Sequence, residues 1–178
     1  VRRGSGPFFG EDLQVLRKIT LAGDFLSGAG SYEQRDIWPD YFAAAESQLP
    51  RDGARGLRVV LDLGNGCGVF NAKRLLLHLG CEVYPMFEEP DGTFPNRPPD
   101  PMTAEGIAKC AARVREIGAD LGIAVDADGD RIAVADHEGE LIWPDRYVTP
   151  LCREILRAGP ATIVTEVRCS QALLDDVE

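Results

Sequence analysis

Leu121-Gly-Ile-Ala-Val-Asp-Ala-Asp-Gly-Asp-Arg131 is the stretch on which the fold turns. Its first half, Leu121 to Val125, is short, apolar and unalternating, as a strand covered on both faces is. Its second half sets Asp126, Asp128 and Asp130 at spacing i, i+2, i+4 directly after that strand. Like charges this close repel strongly in a partly dry site unless a cation neutralises them. An acidic turn facing water is the alternative. A loop at a sheet end, where α/β proteins place their chemistry, favours the cation.

Working outward, strands and helices alternate. Arg58 to Leu63 predicts a strand, followed by Gly64-Asn-Gly-Cys-Gly68. Val69 to Leu79 predicts a helix with Leu75, Leu76 and Leu79 inward and Gly80 as its C-cap. Glu82 to Phe87 predicts a second strand. Thr103 to Gly118 predicts an amphipathic helix with Ile107, Cys110, Ala111, Val114 and Ile117 on one face. Beyond the acidic loop, Arg131 to Asp136 and Glu140 to Trp143 form an expected hairpin around His137-Glu-Gly139. Pro144-Asp145 opens a helix to about Ala158, Ala161 to Val167 predicts a last strand, and a short helix begins near Ser170. The fold class is α/β: a three-layer α/β/α domain with a mostly parallel mixed sheet and one antiparallel hairpin excursion.

Before Arg58 the pattern is looser. Residues 1–10 read as an extended lead-in, expected as the tail of a preceding domain. Glu11 to Ala22 predicts a helix, Gly23 to Ser31 a loop, and Trp38 to Leu49 a helix with Pro39 in its first turn. Pro50 to Gly56 reads as a linker-like turn. The domain is expected over 11–178, with its core at about 56–167. The chain opens on Val1 with no Met, so it is expected to be a piece of something longer.

The net charge of −10 argues against a nucleic-acid partner, which needs a cationic surface. It leaves room for a phosphorylated ligand, because a bound divalent ion and an Arg reverse the sign locally. No apolar run approaches the roughly 20 residues of a membrane helix, so no membrane partner is expected. Cys67, Cys81, Cys110, Cys152 and Cys169 include no C-x-x-C pair, which suits reduced thiols in the cytoplasm. With only His78 and His137 available, a Cys/His zinc site is not expected. His78 reads as a structural residue on its helix.

Asp126, Asp128 and Asp130 offer hard oxygen ligands, which suit Mg²⁺ or Mn²⁺. An EF-hand is excluded, since its sixth position would be Arg131 and its twelfth His137. A second reading makes Asp126 the nucleophile of an aspartyl-phosphate loop. Gly64 to Gly68 fails as a dinucleotide fingerprint because Val69 stands at the third glycine, so it reads as a tight turn needing φ > 0. Asp91 to Asp100, within a Pro-rich run from 88 to 102, reads as an interface or lid loop, or as plain surface. Arg168 could pair with an anion or with Glu166.

Asp126-Ala-Asp-Gly-Asp-Arg131 resembles the Asp-Gly-Asp-Gly-Asp-Arg metal loop of the α-D-phosphohexomutases. Asp62-Leu-Gly-Asn-Gly66, Asp91-Gly-Thr-Phe-Pro-Asn96 and Trp143-Pro-Asp-Arg146 resemble that family in the same order, nearest to the bacterial phosphomannomutase/phosphoglucomutase type. The resemblance covers one of four domains, the second. It implies that Asp126, Asp128 and Asp130 hold one Mg²⁺ against a phosphoserine from the first domain, with Arg131 beside the phosphoryl oxygens or orienting the loop. It implies interconversion of hexose 6-phosphate and hexose 1-phosphate through a bisphosphorylated intermediate. The expected partners are a phosphohexose and the other domains of the same polypeptide, in the cytoplasm.

Neither the family's Thr-Ala-Ser-His-Asn-Pro serine segment nor its Gly-Glu-x-Ser-Gly-His sugar loop is found. The chain alone is therefore expected to carry no catalytic nucleophile, to be inactive, and to bind Mg²⁺ weakly. Ala127 departs from the family's Gly; if that position needs φ > 0, Ala costs about 1 kcal/mol. An aspartyl-phosphate phosphatase and a standalone, non-enzymatic metal-binding module remain the alternatives.

Overall fold

The structure, a computed structural model, describes residues 2–4 and 6–177. The chain divides into two units, Val1–Ile37 and Trp38–Glu178. In the first, β1 (Arg2–Arg3) pairs antiparallel with β2 (Gly6–Pro7), and α1 (Glu11–Ala22) follows. Gly23 ends α1 at φ 64°, donating its N–H to the carbonyls of Ile19 and Thr20. The left-handed turn at this Gly is a usual way to satisfy the last carbonyls of a helix.

The second unit begins with α2 (Trp38–Ser47) and continues through β3 (Arg58–Asp62), α3 (Ala72–His78), β4 (Glu82–Met86) and α4 (Ala104–Ile117). β5 (Leu121–Val125), β6 (Ile132–Ala135), β7 (Leu141–Ile142), α5 (Pro144–Arg157) and α6 (Gln171–Val177) complete it. The sheet order is β4-β3-β5-β6-β7. β3 runs parallel to both β4 and β5, and β6 and β7 turn back antiparallel. This is the α/β fold with one hairpin excursion that the sequence predicts.

The topology puts helices on both faces. The chain steps from β3 to β4 on one side, then crosses β3 to reach β5 on the other. Right-handed crossovers in opposite directions place α3 and α4 on opposite faces. Two cores result. Val60, Ala124, Ala133 and Ala135 pack with Ile107, Cys110, Ala111 and Val114 of α4. Leu61, Leu63 and Val125 pack with Ala72 and Leu76 of α3. This explains the unalternating strands, for Val59, Val60 and Leu61 are all buried. Gly122 lets α4 approach: a Cβ there would stand 2.7 Å from Cys110 Sγ.

Local signals set the ends of α4. Thr103 accepts the Gly106 N–H at 3.0 Å as its N-cap, and Gly118 closes it at φ 63°. The helix expected from Val69 starts instead as a 3-10 turn over Cys67–Phe70 and becomes α3 at Ala72. Gly80 follows its last turn at φ 83°. One expectation fails: Ala161 to Val167 forms no strand. A strand exists by pairing its backbone with a neighbour, and this run joins no ladder among the described residues. Val164 and Val167 stand exposed. The final helix does form at Gln171. No helix among the described residues is long and apolar enough to cross a membrane.

Candidate metal centre

The parallel strands β4, β3 and β5 end on one edge of the sheet. Between β3 and β5 the strand order reverses, and such switch points open a crevice beyond the strand ends. The acidic loop lies there. Asp126 is the first residue after β5, and its side chain is 1% exposed. Its Oδ1 accepts the N–H groups of Gly129 (3.1 Å) and Arg131 (3.0 Å). Its Oδ2 accepts a hydrogen bond from Arg131 Nε (2.9 Å) and is ion-paired with Nη2 (2.8 Å).

Asp128 and Asp130 are exposed beside it. One oxygen from each of Asp126, Asp128 and Asp130 lies within 4.8 Å of the others. Burial pushes the Asp126 carboxyl up. The Arg131 backbone N–H, the bond from Asp128 and the Arg131 guanidinium together outweigh it and hold Asp126 below the usual value. The bond to Asp126 pushes Asp128 up, and the charge of Asp130 adds to this. An array in which one carboxylate lifts its neighbour's pKa favours a cation among them. The donor set fits a hard divalent ion, since every oxygen is a carboxylate and no thiol or imidazole joins the cluster. An open hollow of about 520 Å³ beside the loop is lined by Met102, Gly129, Asp130, Arg131, Ile132 and Tyr147.

The loop's shape answers the question raised by Ala127. Gly129, at φ 80°, occupies the left-handed region, and Ala127 does not. The departure from Gly therefore carries no left-handed strain. The Ala127 carbonyl accepts the Cys67 N–H at 2.8 Å. Gly66 closes on the same backbone, where a Cβ would meet the Ala127 oxygen at 2.7 Å. The turn after β3 reads correctly as tight, with Gly64 at φ 54° and Asn65 at φ 60°.

Sequence reasoning missed the pair that lies behind the loop. Asp62 ends β3, and Arg97 comes from the Pro-rich loop after β4; both side chains are buried. Arg97 Nε donates to Asp62 Oδ1 at 2.8 Å, Nη2 to the Val125 carbonyl at 2.6 Å and Nη1 to the Pro98 carbonyl at 2.9 Å. Asp62 Oδ1 also accepts the Gly64 N–H at 2.9 Å, while Oδ2 accepts no hydrogen bond. Burial raises the Asp62 carboxyl, opposed by Arg97 and Gly64. Two signals were available: a lone carboxylate in an apolar strand and a lone Arg among prolines. A buried charge requires a partner.

Other motif residues tie loops together. Asn65 donates to the Glu89 carbonyl at 2.7 Å and accepts from Asn96 Nδ2 at 2.9 Å, so the Asp91–Asn96 segment is docked, not free surface. Asp91 is held low by the backbone and side chain of Thr93. Asp145 of the Trp143–Arg146 motif accepts the Ser170 N–H at 2.8 Å. Arg168 pairs with Glu166, and His78 Nδ1 lies 3.6 Å from Glu46.

A mixed sheet with its parallel strands ending at a switch point, and clustered carboxylates there, places the chain among α/β domains with a candidate cation site. The comparisons narrow the class. The family described as phosphoglucomutase/phosphomannomutase, alpha/beta/alpha domain II, matches residues 39–139. A phosphomannomutase/phosphoglucomutase of Pseudomonas aeruginosa is 39% identical over 165 residues, 92% of this chain and 35% of that protein. A phosphoglucomutase of Neisseria meningitidis is 30% identical over 173 residues, 96% of this chain and 37% of its own length. The crystal structure of a phosphoglucomutase/phosphomannomutase family protein from Burkholderia thailandensis superposes with a TM-score of 0.83 at 36% identity, covering 95% of this chain and 37% of that one. The chain belongs to the phosphoglucomutase/phosphomannomutase family and carries its second α/β/α domain. It spans about a third of the length of the curated relatives it matches.

Proposed function

We propose that this chain is the metal-binding domain of a phosphohexomutase that interconverts hexose 6-phosphate and hexose 1-phosphate. The carrying observation is the convergence of Asp126, Asp128 and Asp130 at the switch point of a phosphohexomutase domain. Asp126, buried and held ionised by Arg131 and two backbone N–H groups, would be the fixed ligand, and Asp128 and Asp130 would complete the set from the solvent side. Bound Mg²⁺ supplies a Lewis acid for a phosphoryl group presented by another domain. Arg131 holds Asp126 and offers its exposed Nη1 edge to phosphoryl oxygens. The phosphoserine, the sugar contacts and the bisphosphorylated intermediate belong to the whole enzyme, so the isolated chain is inactive.

The match to a phosphohexomutase domain favours this reading over the aspartyl-phosphate one. The test pairs binding with turnover. The chain should bind Mn²⁺ weakly by electron paramagnetic resonance, and Asp128→Ala should abolish that binding. Neither protein should convert glucose 1-phosphate or mannose 1-phosphate. Equal Mn²⁺ binding by Asp128→Ala, or turnover above that variant's, overturns the proposal.

A further inference from the structure

Arg97 does more than neutralise Asp62. A buried ion pair is often replaceable by apolar side chains at no loss of stability, so the pair's stability alone does not explain it. Its geometry is specific. The parallel ladder between β3 and β5 ends at Asp62 and Ala124. Val125 lies one residue past that ladder, and its carbonyl meets the guanidinium where a strand would otherwise be. The next residue is Asp126. One side chain thus joins the ends of β3 and β5 to the loop that follows β4.

The surrounding backbone is cut to its shape. A Cβ on Gly64 would lie 2.4 Å from Arg97 Nη2 and 2.6 Å from Cζ, so the turn after β3 leaves room for the planar group. Asn96, the preceding residue, is fixed by Asn65, and its carbonyl accepts from Lys109 of α4. The Arg97 backbone is therefore anchored before its side chain reaches inward. Asp62, Val125 and Pro98 lie in different directions, and a planar fork serves all three at once, as an ammonium does not.

We infer that Arg97 is a positioning residue for the acidic loop: locked on Asp62, it holds the Val125 carbonyl and so sets where the Asp126 carboxylate stands. The inference rests on the metal-centre reading for its consequence and on the Val125 contact for its geometry. The two are tested separately. Arg97→Lys keeps the charge and loses the fork. Asp62→Asn with Arg97→Met removes both charges, keeps an acceptor for the Gly64 N–H, and guards against loss of fold in the single variant.

Hydrogen exchange at the Gly129 and Arg131 amides, which donate to Asp126, reads loop order without metal. Mn²⁺ binding reads the site. The expected result is exchange at these two amides faster by about tenfold or more, with core amides of β3 and α4 unchanged and Mn²⁺ affinity lowered by about tenfold or more. Unchanged exchange at Gly129 and Arg131 overturns the inference whatever the metal does. Uniformly faster exchange, or unfolding of both variants, also overturns it, because the pair is then a core element alone. Faster local exchange in a protein whose wild type binds no Mn²⁺ sustains the positioning role and removes the metal reading.

Discussion

Gly66→Ala tests how tightly the turn after β3 is fitted to the acidic loop. Gly66 sits at φ −96° and ψ −168°, extended backbone open to any residue. On backbone grounds alone, Ala would stabilise the chain by about 0.4–1 kcal/mol, through lost freedom in the unfolded state. Packing opposes this. The new Cβ would lie 2.7 Å from the Ala127 oxygen, 3.0 Å from its Cα and 3.1 Å from its carbonyl carbon. All three are backbone atoms, so no side chain can swing away. Overpacking of this kind costs about 1–3 kcal/mol. Parting the loops also stretches the 2.8 Å bond from Cys67 N–H to the Ala127 carbonyl, worth about 0.5–1.5 kcal/mol. The clash wins, and the net expectation is destabilisation by about 2 kcal/mol. Urea unfolding followed by circular dichroism measures it from the midpoint at constant slope. A change below about 0.5 kcal/mol, the range of an ordinary surface substitution, refutes the argument.

Three further outcomes follow from the same structure. Ala127→Gly restores the family's residue but should destabilise by about 0.5–1 kcal/mol, since Ala127 is not left-handed and Gly only adds unfolded-state freedom; a stabilised variant in the same urea assay contradicts this. Asp136 accepts the N–H groups of Glu138 and Glu140, and these, the Glu140 bond first, hold its carboxyl below the usual value. A depressed carboxylate contributes stability above its unfolded pKa of about 3.9 and loses it as pH falls through the folded pKa. Melting temperatures of wild type and Asp136→Asn should therefore differ at pH 6 and converge toward pH 3; a gap that widens on acidification refutes this. Divalent ion at ten times its Kd should stabilise the chain by about 1.4 kcal/mol, and Asp128→Asn should remove that gain. Calorimetric melting with and without Mg²⁺ decides it.

What the sequence revealed, and what it concealed, divides by range. The parallel strands were legible because burial on both faces leaves a local mark, the unbroken apolar run of Val59 to Leu61 or Leu121 to Val125. The acidic cluster was legible because its residues are neighbours in the chain. Arg97 and Asp62 were not, for they meet across 35 positions. Their meeting depends on a strand order that apolar pattern does not encode. The failure of Ala161 to Val167 has the same root. Composition there suits a strand, but a strand is a relation between two segments, and the second is not beside it. At Ala127 the sequence left open whether positive φ is needed; Gly129, two residues on, takes it and Ala127 does not.

Arg131 offers a last test, because two of its properties pull in opposite directions. It orients Asp126 through its guanidinium, and it competes with a cation for Asp126 Oδ2. Removing the side chain leaves the two backbone donors on Asp126 Oδ1, at 3.0 and 3.1 Å, so much of the orientation survives. The electrostatic change is larger. Three carboxylates and one guanidinium carry a formal −2, and the loss of Arg131 makes it −3. Nη2 stands 2.8 Å from Oδ2, and a metal–oxygen bond adds about 2 Å, so ion and guanidinium lie up to about 5 Å apart. At that distance a unit charge repels a divalent ion by about 1.7 kcal/mol in water. Arg131 is 59% exposed, which makes the high dielectric the fitting one. Arg131→Gln should therefore bind Mn²⁺ about tenfold more tightly, and most visibly at low ionic strength. A tenfold loss instead assigns Arg131 to orienting the loop, with Asp126 dependent on its side chain for its place.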